Sequence, residues 1–178
     1  MLVFWQYGYD RASLTDLTTA MGIAGTSMYA AFGSKEELFR KALVRYTDAF
    51  TQYEARALAE PTAREVAANL LNGTVQATTA PGHPTGCFAV QSSLIAGNPG
   101  RDILAAWHDV GWGRLRDRFR RAIDEGDLPP ETDPGVLARY LKTVANGLAV
   151  QAAGGACRAE LQQVADATLR SWPGPAER

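Results

Sequence analysis

The stretch Gly22–Phe39, "GIAGTSMYAAFGSKEELF", decides the fold of this chain. It contains a short helix that turns Met28 and Phe32 inward at i, i+4 spacing. Upstream, the run 13–16, "SLTD", has the pattern of a capping box that opens a preceding helix, and Gly22 supplies the turn that ends it. Two short helices joined by a glycine turn predict a helix-turn-helix, a motif whose second helix enters the major groove of DNA.

A lysine stands in the first turn of the next helix, where a cation opposes the positive end of the helix dipole. A DNA phosphate held by Lys35 and the free amides of that turn would reverse the sign of this effect. The alternative is a solvated lysine beside Glu36 and Glu37. Inside a helix-turn-helix the phosphate contact is the favoured interpretation.

The outward face of the second helix is small or hydroxylated apart from one tyrosine, which allows close approach to bases and phosphates. Together with the start of the first helix and the lysine, this face forms the predicted DNA-binding set. The set consists of Ser13, Thr15, Gly25, Thr26, Ser27, Tyr29, Ala30 and Lys35.

Composition places the chain among ordinary globular proteins. Its 178 residues are 46% hydrophobic and 21% charged, enough for one compact domain or for a small domain fused to a larger one. The formal net charge is −1, and residues 1–57 hold six Lys/Arg and six Asp/Glu, so DNA contact must come from a local patch. The two cysteines suit a reducing compartment, and no apolar run reaches membrane-spanning length. We therefore expect a cytoplasmic protein without a membrane partner.

Helical periodicity continues through almost every segment, and no strand alternation is sustained, which predicts an all-α fold. Two further capping boxes are predicted, at 34–37 and at 62–65. The long helix that begins at Ser34 is expected to carry Phe39, Leu43, Tyr46, Phe50 and Tyr53 on one face. Later helices are expected over 134–153 and 158–172.

The combination of Tyr29, Phe32, Gly33, Ser34, Lys35, Glu36 and Leu38, within the segment 8–39, resembles the TetR family of bacterial transcriptional regulators. The resemblance implies an all-helical homodimer. Residues 1–46 would form a helix-turn-helix DNA-binding domain, and residues 47–178 a ligand-binding and dimerisation domain. It implies a ligand-responsive DNA-binding regulator, a repressor that an unknown small-molecule inducer releases from a double-stranded DNA operator.

Three features depart from that family pattern. Ala24 stands where the family usually has a Ser or Thr N-cap, a loss of about 1 kcal/mol. Gly25 stands where the family often has a cation. The family's first helix is longer than "MLVFWQY", so we expect the chain to begin inside that helix. These departures keep an alternative open, a helical small-molecule-binding protein whose DNA-binding domain is defective.

Candidate pocket residues are polar side chains among apolar neighbours, together with aromatic residues that could instead fill the core. On the face of the long helix, Tyr46, Phe50 and Tyr53 are expected to point into the C-terminal domain, where a ligand could tilt the helix. The predicted pocket set is Phe50, Tyr53, Asn69, Phe88, Gln91, Trp107, His108 and Asn146.

The resemblance also implies that the last two long helices form the dimer interface. Apolar and small residues along them would permit close helix approach between two copies of the chain. Replacing Leu148 or Val164 by Glu is expected to yield monomers. The predicted interface set is Leu141, Ala145, Leu148, Ala152, Leu161, Val164 and Thr168.

The remaining groups of reactive residues give only weak evidence for a metal site, a redox pair or an enzyme. Cys87, Cys157, His83 and His108 match no compact zinc spacing, so no metal site is predicted. A redox pair of the two cysteines is a weaker interpretation than two inert thiols. No carboxylate pair, phosphate loop or nucleophile elbow supports an enzyme, and no cofactor is expected.

Overall fold

The computed structural model describes residues 1–95, 97 and 99–174, and over these residues it contains ten α-helices and no β-strand. The all-α prediction is confirmed. No helix in this described part combines the length and the apolar composition needed to cross a bilayer. The helices are α1 (Leu2–Arg11), α2 (Leu14–Met21), α3 (Gly25–Phe32), α4 (Lys35–Phe50), α5 (Gln52–Leu58), α6 (Ala63–Thr78), α7 (Phe88–Ile95), α8 (Gly100–Asp124), α9 (Pro134–Ala153) and α10 (Arg158–Arg170).

Local capping chemistry sets several helix starts. At α2 the Ser13 Oγ accepts from the Asp16 amide at 3.0 Å, and the Asp16 carboxylate accepts from the Ser13 amide at 3.0 Å. The same reciprocal box opens α6 at residues 62–65. At α4 only half of the predicted box forms, because Ser34 Oγ accepts from the Glu37 amide while the Glu37 carboxylate lies 3.5 Å from Arg40.

Two glycines shape the N-terminal helices. Gly22 ends α2 in the left-handed region, with φ 66° and ψ 30°, where a β-carbon would be disfavoured. Gly8 interrupts α1 with φ 72° and ψ 177°, so the helix bends there. The bend allows Phe4 and Tyr9, on either side of it, both to be buried.

The long helix predicted from Ser34 through Tyr53 is broken at Thr51, which corrects the expectation from periodicity. Thr51 has φ −113° and ψ 13°, and α5 begins at the next residue. Its Oγ1 donates to the Thr47 carbonyl at 2.9 Å, a local bond of the kind that bends helices. Tyr53 therefore lies on a different helix from Tyr46 and Phe50.

The buried apolar residues form two clusters. The first joins α1–α4 to α7 and to the beginning of α8, with Phe39 and Phe88 fully buried in it. The second joins α5, α6, the later part of α8, α9 and α10. The predicted domain boundary after residue 46 falls inside α4 and stays a prediction, since α4 begins among the N-terminal helices and its far end leads into α5.

Candidate nucleic-acid interface and ligand pocket

The outward face of α3 is exposed while its inward face is buried. Met28 is fully buried, whereas Tyr29 is 48% exposed. The other members of the predicted face on α3, namely Gly25, Thr26, Ser27 and Ala30, are exposed as well. The N-cap residue Ala24 makes no side-chain cap bond, as expected for an alanine at this position.

Two DNA contacts were predicted at the start of α2, and their side chains differ in whether they already make hydrogen bonds within the protein. Ser13 Oγ donates to the Asp16 carboxylate at 2.6 Å in addition to accepting from its amide, so this hydroxyl is held by the cap. The hydrogen bonds from Ser13 lower the pKa of the Asp16 carboxyl below its ordinary value. Thr15, in the first turn, is exposed.

Lys35 is held against the end of α1. Its Nζ lies 4.8 Å from the centroid of the Tyr9 ring and donates to the Asp10 carbonyl at 3.4 Å. Burial lowers the pKa of this ammonium, and the Asp10 carboxylate opposes the shift. Six residues further along α4, Lys41 Nζ lies 5.3 Å from the Phe32 ring centroid. Two cation–π contacts thus fix α4 against α1 and α3.

Phe50 and Phe88 belong to an aromatic cluster. Phe50 lies between Trp5, at 5.4 Å between ring centroids, and His83, at 4.9 Å. Phe88 is fully buried and meets the Tyr46 ring at 5.5 Å. Neither phenylalanine is among the lining residues of the cavities described below. The structure therefore does not support a ligand that binds against Phe50, because the rings of Trp5 and His83 already pack against this side chain.

A small enclosed cavity, here called the inner chamber, lies between α5, α6, α7, α8 and α9. Its volume is about 20 Å³, and it brings together four of the eight predicted pocket residues, Tyr53, Trp107, His108 and Asn146. The chamber is also lined by Thr51, Glu54, Thr74, Thr78, Cys87, Val90, Lys142, Ala145 and Ala149.

Hydrogen bonds hold several polar groups that line the inner chamber, either to one another or to neighbouring residues outside it. The Tyr53 hydroxyl lies 3.3 Å from Thr74 Oγ1, and the Tyr46 hydroxyl donates to Cys87 Sγ at 3.2 Å. His108 Nε2 lies 3.0 Å from Ser93 Oγ. Burial, and then the nearby Lys142 ammonium, lower the pKa of His108, so this ring is neutral at pH 7.

Sequence reasoning missed an ion pair at the edge of this chamber. Lys142 Nζ on α9 lies 2.8 Å from Glu54 Oε1 on α5, and the two side chains are only 17% and 24% exposed. One feature of the sequence could have indicated this ion pair. Lys142 lies four residues before Asn146, on the same face of the helix, and directly follows the buried Leu141.

An open groove, here called the outer groove, runs between α4, α5 and α8 with a volume of about 520 Å³. Its walls include Leu43, Val44, Leu58, Ile103 and Val110. Thr51, Glu54 and Trp107 line both the outer groove and the inner chamber. The two spaces are thus separated by a thin wall of side chains.

The remaining two predicted pocket residues lie elsewhere. Gln91 accepts from Trp5 Nε1 at 3.0 Å and donates to the Thr85 carbonyl at 3.2 Å, beside a separate groove between α1 and the segment before α7. Asn69 is exposed on α6 and does not line the inner chamber. Periodicity could not separate the exposed face of α6 from its buried one at this position.

Most of the predicted dimer-interface residues are buried within the protomer, and the interface itself stays a prediction. Leu141, Ala145, Leu148, Ala152 and Leu161 all belong to the second buried cluster. A side chain already covered by its own chain has little surface left for a partner. The large apolar residues that are exposed on α9 and α10 are Val136, Tyr140, Val150 and Val164.

Of the other two, Val164 is 50% exposed and Thr168 is mostly buried. Both line a shallow groove of about 750 Å³ along α9 and α10, together with Leu148 and Leu161. This groove also contains Gly147, where the missing side chain allows a second helix to approach closely. We call this surface the α9–α10 face.

The two cysteines have different environments. Burial raises the pKa of the Cys87 thiol, and the hydrogen bond from Tyr46 opposes this shift. Cys157 is exposed at the start of α10, where its amide donates to Glu160 Oε2 at 2.8 Å. Among the described residues, no group of three or more His, Cys, Asp or Glu side chains is placed to hold a metal ion.

Comparison with known proteins gives relatives along almost the whole chain. The family model described as "Bacterial regulatory proteins, tetR family" matches residues 1–42. The HTH-type transcriptional repressor ComR of Escherichia coli (strain K12) is 34% identical over 178 residues, spanning 97% of this chain and 85% of the relative.

Two solved structures are similar in both sequence and fold. A cysteine-mutant form of the TetR family transcriptional regulator CifR, complexed with 26-bp double-strand operator DNA, is 43% identical with a TM-score of 0.89. The match covers 97% of this chain and 92% of that one. A TetR transcriptional regulator from Rhodococcus sp. RHA1 is 40% identical with a TM-score of 0.63, over 97% and 94% of the two chains.

Proposed function

The chain belongs to the TetR family of bacterial regulatory proteins, and from that membership we propose a cytoplasmic repressor that a small molecule releases from its DNA operator. The protein works by binding, without catalysis. It acts as a homodimer that sets two α3 helices about 34–36 Å apart, one turn of the DNA groove.

The exposed outward face of α3 carries this proposal. Its residues are small or hydroxylated, and Met28 on the opposite side anchors the helix in the core. The likeness to an operator-bound regulator at 43% identity supports the same docking of α3 in the major groove. Specific base contacts would then come from Thr26 and Ser27, and phosphate contacts from Tyr29 and Lys35.

Release by a ligand is supported by the position of the outer groove. The groove lies between α8 and the far end of α4, and Trp107 on its wall donates to Thr47 Oγ1 of α4 at 3.0 Å. The sixteen residues of α4 form a rod of about 24 Å that begins at Lys35. A ligand that binds a tilted α4 more tightly would change the spacing of the two recognition helices.

The alternative is a small-molecule-binding protein with a defective DNA-binding domain. Two observations favour it, the absence of a side-chain cap at Ala24 and the balance of positive and negative residues in the first 57 positions. Binding to the protein's own upstream DNA separates the two functions.

Lys35→Ala is expected to weaken binding to all DNA sequences and to lower the salt slope of binding by about one unit per half-site. The reason is the loss of one released counterion where the Lys35 ammonium meets a phosphate. Fluorescence anisotropy with the protein's own upstream DNA at two salt concentrations measures this slope. Arg170→Ala, at the exposed end of α10, is the matched control. An unchanged slope in the Lys35 variant would remove the phosphate role, and no binding by the unmodified chain would favour the alternative function.

Val164→Glu is expected to convert dimers to monomers, because it places a charge in the α9–α10 face without disturbing the protomer core. Sedimentation velocity measures the assembly state. Leu148→Glu serves as the contrast, since Leu148 is buried and its replacement is expected to unfold the chain. A Val164→Glu variant that sediments as a dimer would place the interface elsewhere.

A further inference from the structure

The ion pair Glu54–Lys142 stands at the boundary between the outer groove and the inner chamber. Glu54 lines both spaces, whereas Lys142 lines the chamber. The Lys142 Nζ lies 3.5 Å from the position that a β-carbon on Gly111 would occupy, and Gly111 itself lines the groove. The pair therefore closes the passage from groove to chamber.

The size of the inner chamber restricts what can enter it. Its volume of about 20 Å³ holds about one water molecule. A ligand head group can enter only by replacing a group of its own size. A carboxylate that takes the place of the Glu54 carboxylate satisfies this condition, because it fills the same space and accepts the same hydrogen bond from Lys142.

The two side chains of the ion pair differ in their access to water once the pair is broken. Once displaced, the Glu54 side chain can turn into the open outer groove and become hydrated. Lys142, with 17% of its side chain exposed, is packed against α8 beside Gly111 and would be left without an acceptor. A buried charge left without a partner destabilises the folded protein. An incoming anion is thus favoured over an incoming cation.

The outer groove supplies the rest of the binding surface. Its walls are mostly apolar, and the exposed Val44 on α4 and Val110 on α8 both line it. Arg40 and Arg114 line the groove together with Asp48 and Glu54, so the formal charges of its lining balance. An elongated apolar tail fits walls of this kind, and the preference for an anion comes from Lys142 alone.

We propose that the releasing ligand is a small organic acid with an apolar tail, whose carboxylate displaces Glu54 from Lys142 while the tail occupies the outer groove. This inference rests on the proposed ligand-released regulator and names the chemical class of its ligand.

Displacement of Glu54 also explains how ligand binding could reach the DNA-binding helices. The Glu54–Lys142 pair links α5 to α9 across 88 residues of chain. Because α5 follows α4 after the break at Thr51, this link restrains the end of α4. The bound carboxylate keeps Lys142 paired but frees α5 from α9, and α4 can then tilt.

Isothermal titration of the full chain with decanoate, decanol and decyltrimethylammonium tests the ligand class at equal tail length. Decanoate is expected to bind more tightly than decanol, because its carboxylate can replace Glu54 at Lys142 and an alcohol cannot. In the Glu54→Gln variant, where no carboxylate competes, the difference is expected to reach at least about tenfold, from one charge-assisted contact. The cation is expected to bind more weakly than decanol. Equal binding of acid and alcohol, or preference for the cation, overturns the proposal.

Substitutions test the residues. Lys142→Met is expected to reduce decanoate affinity to that of decanol, whereas Lys142→Arg retains the preference. Glu54→Gln is expected to raise decanoate affinity, because the competing carboxylate is gone. If Lys142→Met does not fold, the double variant Glu54→Gln, Lys142→Met removes both charges and is compared with Glu54→Gln alone. An unchanged decanoate affinity in either comparison contradicts the displacement.

DNA binding is measured separately by anisotropy on the upstream DNA. A chain that binds this DNA but fails to bind decanoate overturns the ligand class and leaves the regulator standing. A chain that binds decanoate through Lys142 without binding DNA supports the ligand class and favours the alternative function. Decanoate bound with DNA affinity unchanged overturns its role as the releasing ligand.

Discussion

Replacing Ser27 by glutamate is expected to lower operator affinity by about a hundredfold, which corresponds to roughly 2.7 kcal/mol. Ser27 is exposed on the outward face of α3, so the new carboxylate has no effect on the core. In the complex it would lie among phosphates and base edges, where a negative charge is repelled and partly desolvated. Anisotropy on the upstream DNA, with thermal unfolding of the free protein, separates loss of binding from loss of fold.

Two control variants sharpen this prediction. Ala105→Glu adds the same charge at an exposed position on α8, away from α3, and is expected to leave operator affinity within about threefold. Ser27→Ala removes one hydroxyl and is expected to have a much smaller effect than the glutamate. If Ser27→Glu and Ala105→Glu weaken binding equally, α3 is not the helix that reads DNA.

Phe88→Ala is expected to destabilise the protein by about 3–5 kcal/mol, the range for a buried aromatic truncated to alanine. Phe88 begins α7, yet it is fully buried against Phe39 of α4, at 5.6 Å between ring centroids, and against Tyr46. The cavity would open in the cluster that joins α1–α4 to α7. We expect operator binding to fall together with stability, because α4 loses its packing partner.

Urea unfolding followed by circular dichroism measures the loss. Phe88→Leu keeps most of the apolar volume and is expected to lose much less stability than the alanine variant. Leu94→Ala, at an exposed position on the same helix, is expected to be nearly neutral. A Phe88→Ala variant with unchanged unfolding would show that α7 does not support the N-terminal helices.

Features that depend on neighbouring residues in the chain could be predicted from the sequence. The capping boxes at Ser13 and Thr62 form because donor and acceptor are three residues apart, whatever the rest of the molecule does. The turn at Gly22 is similar, since a left-handed residue is a local requirement. The helix-turn-helix followed from these signals, together with the inward spacing of Met28 and Phe32.

Features that depend on which helix covers which face could not be predicted in the same way. Leu148 and Val164 both lie on amphipathic helices, and the family resemblance, together with their apolar spacing, assigned both to a partner chain. The structure buries Leu148 inside the protomer and leaves Val164 half exposed. An apolar stripe specifies that it must be covered, but it does not specify by what.

The candidate ligand site shows the same division. Sequence alone identified Tyr53, Trp107, His108 and Asn146 as unusual side chains on three separate segments, because polar and aromatic groups among apolar neighbours are visible in the sequence. The pairing of Glu54 with Lys142 joins residues 88 positions apart. Such a pair depends on the crossing of α5 and α9, and on the room left by Gly111 on α8. Local sequence therefore determined the helices and the DNA-reading motif through short-range hydrogen bonds and periodicity. Helix packing decided the pocket, the ion pair and the free face of α9 and α10, because each requires surfaces brought together from distant parts of the chain.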